Sequence, residues 1–533
     1  MALFERVEGM SIASALANRA IVEPEGAFLL HQDQIFTFGQ VESRSDALAA
    51  SFHSLGIEAG DRVALVLPPC PEFVVAMFAA AKLGAVIVPM NPRVTGPELQ
   101  YMLRHSETVL AVTAETHAGE DYLAVFDDLL PQLPELQYVV TVGEEDLWYD
   151  DQIFQFEDLL SAGQGRDFPP LEVNPREDSF AILYTAGTMG KPKGVELTHS
   201  NLLEVTFETA ARLGLSSGDR VIGVTAFFHI FGLGPGILGS ILSGSSLILQ
   251  TGFGAAETLA LIQRHEATVH YGVPTLFSTG LIEQREAALD LSSLRVALAA
   301  GGPASHELIM AVEREICPDF RVAYSLTETA SVVSMTDPGD PAEKRRDTVG
   351  RPMAGIEVKV LDNQGTPLPV ESVGEIAIRG PGVMRRYYRQ PRETRRVRRE
   401  DGFLLTGDMG MVDEDGYLHL VGRRREVIIR DGFTVYPREV EYRLQAHPAV
   451  QEAGVVGIPD DVLGEAICAC IVPIEGAIVT GPEIMDWCRV ILADYKVPDL
   501  VRFLDDFPRT GTGKPRRIEL ARIIQAELMS RKD

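Results

Sequence analysis

The chain has 533 residues, 46% of them hydrophobic and 7% aromatic, which exceeds one typical domain and supplies apolar surface for two or more cores. With 76 acidic against 48 basic residues the formal net charge is -28, which disfavours a general nucleic-acid or anionic-membrane surface. The N-terminus, MALFERVEGMSIASALANRA, carries acids early and no basic stretch leading into an apolar one, so no secretory signal is expected and a cytoplasmic location is.

From Val63 the chain alternates strand and helix: VALVLPP, then PEFVVAMFAAAKLG, AVIVPM, GPELQYMLRHS and VLAVT. This predicts an α/β layer structure with mostly parallel strands. The most membrane-like stretch, residues 74–90, is divided by Lys82 and Gly84 into a short helix and a short strand, below the roughly 20 apolar residues a span requires. Peripheral membrane contact stays open. The alternation resumes with the strand SFAILYT and the helix HSNLLEVTFETAARLGL, and then with AETLALIQRHEA into TVHYGVPT and SSLRVALAAGG into SHELIMAVEREI. Beyond Val349, alternating strands separated by DNQG and DEDG turns predict a small antiparallel, β-barrel-like portion. A smaller α+β unit follows, with REVEYRLQAHPAV and EIMDWCRVILADY as helices and AGVVGIP and EAICACIVPI as strands. The expected boundary lies near Gly422 to Glu426, giving units 1–424 and 425–533. Five cysteines show no paired metal spacing and fit a reducing compartment, and Cys468 and Cys470 share one face of a predicted strand.

Residues 184–195, YTAGTMGKPKGV, place Gly187, Gly190 and Gly194 with Tyr184, Thr185, Thr188, Lys191 and Lys193 directly after an apolar strand. Glycines permit close backbone approach to a ligand, and hydroxyls and ammonium groups suit polyphosphate oxygens. The spacing is not a Walker A loop, because only two residues separate Gly187 from Gly190 and Pro192 follows Lys191. In AYSLTET, Glu328 can hold a divalent cation and Thr327 can offer a hydroxyl to phosphates. In TGDMG, Asp408 is expected at a strand end, able to accept two ribose hydroxyls with Arg423 close behind. In PRTGTGKPRR, Gly511 and Gly513 hold Lys514 on a loop. The basic run RRYYRQPRETRRVRR, residues 385–399, either meets a phosphorylated small molecule or is an arginine face balanced by neighbouring acids. HEATVH has three residues between Glu266 and His270 and crosses a helix–strand boundary, which argues against a zinc site. His229, in FFHIFG, sits among bulky apolar residues where a packed histidine is ordinary.

Taken together, YTAGTMGKPKGV, FFHIFG, YSLTE, TGD, GRRREVIIRDGFTVYPREVE and PRTGTGKPRR resemble, in order and spacing, the motif set of adenylate-forming enzymes. The resemblance covers almost the whole chain. It implies a large N-terminal domain that holds ATP and an acid, and a small mobile C-terminal domain that rotates between two half-reactions. It also implies that Thr185, Gly187, Thr188, Gly190 and Lys193 handle pyrophosphate, and that Gly301, Gly302 and Pro303 border the adenine on which Tyr324 stacks. Thr327 becomes the α-phosphate contact, Glu328 the Mg²⁺ ligand, Asp408 and Arg423 the ribose contacts, and His229 a neighbour of the incoming carboxylate. Arg425 becomes the hinge and Lys514 the adenylation lysine. Ala186, Met189 and Ser325 depart from the usual residues, which predicts altered rate or selectivity. The implied reaction is acid, ATP and coenzyme A to acyl-CoA, AMP and pyrophosphate, carried out by a protein expected to be a homodimer. Phe227, Phe228, Ile230 and Phe231 argue for an apolar acyl or aryl group over a small polar acid, and a medium- or long-chain fatty acid is expected slightly ahead of an aryl acid. The alternatives are an aryl-CoA ligase, a ligase that loads a carrier protein, and a noncatalytic nucleotide-binding scaffold. Ile429, where beetle luciferases have lysine, disfavours light-producing oxidation.

Overall fold

A computed structural model describes residues 7–94, 96–143, 151–169, 171–185, 192–223, 226–252, 254–302, 304–423, 426–430, 433–460, 463–490, 492, 494–509 and 515–530. Two large sheets share one plan, a parallel interior with antiparallel strands at the rim. In the nine-stranded sheet the parallel neighbours are Phe320–Leu326, Val296–Ala300, Val269–Gly272, Arg220–Gly223, Ser246–Ile248 and Ala27–His31. Ser331–Met335 and Arg351–Pro352 close one side of it antiparallel. In the eight-stranded sheet the parallel set is Ser179–Thr185, Val86–Pro89, Arg62–Val66, Thr108–Ala114, Tyr138–Val142 and Ile153–Gln155. Lys193–Thr198 and then Arg386–Tyr387 add antiparallel at its rim. The α/β reading of the N-terminal part is therefore correct.

The membrane-like stretch is core. Pro71–Lys82 starts with proline at its first position, where no intrahelical N–H is required, and its apolar residues are buried. It ends with Lys82, whose ammonium meets Glu42 at 2.6 Å and Asp46 at 2.7 Å. Among the described residues no helix is long and apolar enough to cross a membrane.

The antiparallel portion is a four-stranded sheet of Glu357–Leu361, Gly374–Arg379, Leu404–Val412 and Leu418–Arg423. Its DEDG hairpin closes as expected. Gly416 takes φ +83°, the left-handed conformation that glycine adopts without strain, and its N–H donates to the Asp413 carbonyl at 3.0 Å. Asp413 also accepts from Lys344 and His419, and these bonds hold its carboxyl down at about 2.

The C-terminal α+β unit is built on the antiparallel pair Val450–Asp460 and Gly464–Pro473, with helices Pro437–Gln445, Gly481–Arg489 and Arg517–Ser530. Ile428, Val440, Leu444, Val455, Ile467 and Ile484 form its own apolar core. Cys468 and Cys470 lie together on the other face, in the cluster of Phe507 and Leu520.

Three local expectations need correction. Lys193 does not belong to a loop but opens the strand Lys193–Thr198, which forms a hairpin with Ser179–Thr185. A side chain at Gly194 would place its Cβ 2.7 Å from Ile182 Cγ2, so that glycine answers to packing inside the hairpin. Asp408 is not at a strand end but in the middle of Leu404–Val412, with Gly407 at φ +74° just before it.

Candidate active site

The carboxyl ends of the parallel strands in the nine-stranded sheet form the floor of the site, the place where open α/β sheets bind ligands. Val296–Ala300 ends into Gly301, at φ +83°, and Gly302. Ala300 is in register with Ala323, so these glycines adjoin Tyr324 on the next strand. The Tyr324 ring is buried and its hydroxyl donates to Asp408 Oδ2 at 2.5 Å. Burial, with the Asp408 charge second, raises the Tyr324 hydroxyl well above its ordinary range, so it stays protonated. Arg423 meets the other oxygen of Asp408 at 2.9 Å. Each carboxylate oxygen keeps a lone pair for a further donor. Four sequence motifs, at Gly301, Tyr324, Asp408 and Arg423, are thus brought to one place.

Phe320–Leu326 runs into a short turn, Thr327–Thr329, that carries Glu328 half-buried. The Glu328 carbonyl accepts from Met384 N–H at 2.8 Å and its Oε1 accepts from the Tyr387 hydroxyl at 2.9 Å. No lysine or arginine among the described residues forms an ion pair with Glu328. A carboxylate held in this way is a hard oxygen donor that fits Mg²⁺. No group of three or more acidic, histidine or cysteine side chains converges among the described residues, so the cation would share Glu328 with phosphate oxygens instead of sitting in a protein cage.

Lys193 faces the same neighbourhood. Its ammonium lies 3.2 Å from Glu393 and 4.6 Å from the centre of the Tyr387 ring. Thr185, in register with Lys193 across the hairpin, donates its hydroxyl to the Lys193 carbonyl at 3.5 Å. Tyr184 does not offer its hydroxyl to phosphate as expected. That hydroxyl pairs with His105 Nδ1 at 2.8 Å and donates to the Met102 carbonyl at 3.2 Å, on the helix Gly96–Ser106. Gly187, Thr188, Gly190, Lys191, Pro303, Arg425 and Lys514 lie outside the described residues, as do Ala186 and Met189.

His229 precedes a π-helix, Gly232–Leu238, that contains Pro235. Its carbonyl accepts from both Gly232 and Leu233 at 3.0 Å, which turns the chain into that helix. The Phe228 ring lies 4.6 Å from the His229 ring, and its sequence neighbours Phe231 and Phe227 pack against Tyr271 at 5.4 Å and Phe73 at 5.2 Å. The π-helix packs against two hydroxyls that sequence reasoning did not single out. A Cβ at Gly234 would lie 3.2 Å from Thr206 Oγ1 and 4.0 Å from Ser331 Cβ. Both side-chain oxygens are fully buried without a hydrogen-bond partner among the described residues.

The basic run is balanced by acids. Arg386 pairs with Glu196 at 2.6 Å, Arg396 with Glu393 at 2.6 Å, Arg399 with Asp401 at 3.1 Å, and Arg389 with Glu107. His265 ends a helix while His270 is buried in a strand, where burial pushes its imidazole down to about 4.

Residues 16–388 match the family of AMP-binding enzymes and residues 439–514 match the AMP-binding enzyme C-terminal domain. The chain is 33% identical to a feruloyl-CoA synthase of Amycolatopsis sp, over 97% of this chain and 99% of that one. It is 31% identical to the mitochondrial medium-chain acyl-CoA ligase ACSF2 of Homo sapiens, over 95% and 86%. The crystal structure of the anthranilate CoA ligase AuaEII in complex with anthranoyl-AMP superposes with a TM-score of 0.88 at 27% identity, covering 97% of this chain and 98% of that one. The chain belongs to the AMP-binding, adenylate-forming enzyme family. It is an enzyme of the ATP-dependent, AMP-forming acid–thiol ligase type.

Proposed function

We propose that the protein activates an aromatic carboxylic acid as its acyl adenylate and transfers the acyl group to coenzyme A. The observation that carries this reading is the convergence of Gly301, Tyr324, Asp408, Arg423 and Glu328 at the ends of the parallel strands. In this reading Gly301, Gly302 and Pro303 border the adenine beside Tyr324, and Asp408 and Arg423 hold the ribose. Thr185, Gly187, Thr188, Gly190 and Lys193 hold the outer phosphates, and Thr327 holds the α-phosphate. Mg²⁺, when bound at Glu328, neutralises phosphate charge. The acid carboxylate, placed beside His229, attacks the α-phosphorus and pyrophosphate leaves. The coenzyme A thiolate then attacks the acyl carbonyl and AMP leaves. Little acid–base chemistry is required of the side chains, because position and electrostatic stabilisation supply most of the rate. The C-terminal unit, residues 425–533, turns about Arg425 and brings Lys514 to the nucleotide for the first step only. All five cysteines are free and buried, which supports a reducing, cytoplasmic location.

The acid is read as aromatic from the similarities. Relatives named for ferulate and anthranilate align along nearly the whole chain. The second reading, a medium- or long-chain fatty acid, rests on the ACSF2 similarity and on Phe227, Ile230 and Phe231. Substituted benzoates and cinnamates should exceed every fatty acid from hexanoate to palmitate in kcat/KM, with acetate poorest. A fatty acid that outruns all aryl acids would establish the second reading. Comparing coenzyme A with a purified carrier protein as acceptor distinguishes the two kinds of ligase.

The nucleotide chemistry is tested by exchange of labelled pyrophosphate into ATP. Exchange should require both the acid and Mg²⁺, and Glu328→Gln should slow it by about 100-fold or more. Exchange at full rate without acid, or in this variant, contradicts the assignment.

A further inference from the structure

We propose that Tyr387 is a positioning residue of the nucleotide site: its hydroxyl orients Glu328 and its ring seats the Lys193 ammonium. The inference rests on the reading of Glu328 as the Mg²⁺ ligand and adds a residue from the arginine-rich segment, which the functional reading had left aside. Arg386–Tyr387 is a two-residue strand laid antiparallel on Lys193–Thr198, with Tyr387 in register with Val195. The Tyr387 N–H is tied to Thr394 Oγ1 at 3.0 Å and Tyr388 N–H to the Gly194 carbonyl at 2.7 Å, so the backbone on both sides of the ring is anchored. The side chain is 5% exposed and packs in the main apolar core, which fixes the ring.

From that position it reaches the two groups assigned to metal and phosphate. The hydroxyl donates to Glu328 Oε1 at 2.9 Å. A carboxylate with one oxygen so fixed presents the other in a set direction, as hydrogen-bonded partners of metal ligands commonly arrange. The ring face lies 4.6 Å from Lys193 Nζ, within the range of cation–π attraction, while Glu393, itself paired with Arg396, holds the ammonium at 3.2 Å. A tyrosine serving only the core would need neither contact. Here one side chain fixes the spacing between the cation-binding carboxylate and the lysine at the end of the glycine-rich hairpin.

The test measures ATP binding by calorimetry on the full-length enzyme, without acid, in Mg²⁺ or in EDTA. Tyr387→Phe keeps the ring and removes only the hydroxyl. It should weaken binding in Mg²⁺ by about 10-fold or more, leave binding in EDTA unchanged, and leave the melting temperature unchanged. Glu328→Gln should show the same loss, and the double variant no further loss. Tyr387→Leu should in addition weaken binding in EDTA, because Lys193 loses its seat. If Glu328→Gln weakens binding in Mg²⁺ and Tyr387→Phe does not, the role of Tyr387 is overturned while that of Glu328 stands. If Glu328→Gln has no effect, both fall. Unchanged binding of Tyr387→Leu in EDTA overturns the seating of Lys193.

Discussion

Lys514→Ala should slow formation of acyl-AMP from ATP and acid by about 10²- to 10³-fold, the typical loss of one preorganised contact to developing charge. The same variant should convert supplied acyl-AMP and coenzyme A to thioester at close to the wild-type rate. The residues on either side of Lys514 explain why the effect divides in this way. Arg509 and Pro515 form a β-bridge, and Arg516 N–H donates to the Pro508 carbonyl at 2.7 Å. Arg509 is held by Glu452 at 2.6 Å and Asp506 at 2.7 Å, and Arg517 by Glu441 at 2.5 Å and by Glu426. Arg509 and Arg517, on either side of the segment, are thus fastened within the C-terminal unit, and the lysine is expected to move with that unit. Its ammonium would stabilise charge shared by the attacking carboxylate and the α-phosphate, and thiolate attack would follow after it has turned away. Rapid-quench assays of each half-reaction check this. Equal loss of both would refute the division of labour, and retention of both would leave Lys514 an ordinary solvated lysine.

Asp408→Ala should differ, lowering both half-reactions and weakening ATP and AMP binding together. Asp408 is 6% exposed and joins the buried Tyr324 hydroxyl to Arg423. Its removal leaves the Tyr324 hydroxyl without its acceptor, at about 1–3 kcal/mol of folding stability. It also removes the acceptor assigned to the ribose in every nucleotide-bound state. Calorimetric titration with ATP and with AMP, beside thermal unfolding, measures both effects. Nucleotide affinity equal to that of the wild type would remove Asp408 from the ribose site.

The large architecture was legible because parallel strands buried on both faces read as unbroken apolar runs, such as VALVLPP and SFAILYT, separated by amphipathic helices. The motifs at Tyr324 and Asp408 were legible as residue types and not as geometry. Glycine and aspartate in TGDMG look like punctuation, yet Gly407 and Asp408 continue a strand because neighbours on both sides pair with it. The KPKGV stretch hid a strand for a similar reason, its glycine being required by the Ile182 side chain across the hairpin. Tyr387 was hidden by its arginine neighbours. Its importance arises from residues 59 and 194 positions away, and no local pattern reports such contacts.

The two-residue strand Arg386–Tyr387 also bears on solubility. It covers the Lys193–Thr198 hairpin strand, whose Val195 and Leu197 would otherwise border an open sheet rim. Uncovered rims of this kind recruit strands from other chains, and short, charged terminal strands are a common protection against that. Arg386, joined to the buried Glu196, supplies the charge. Exchanging Arg386 for a neutral residue would therefore raise the tendency to self-associate, most strongly where the segment detaches during folding.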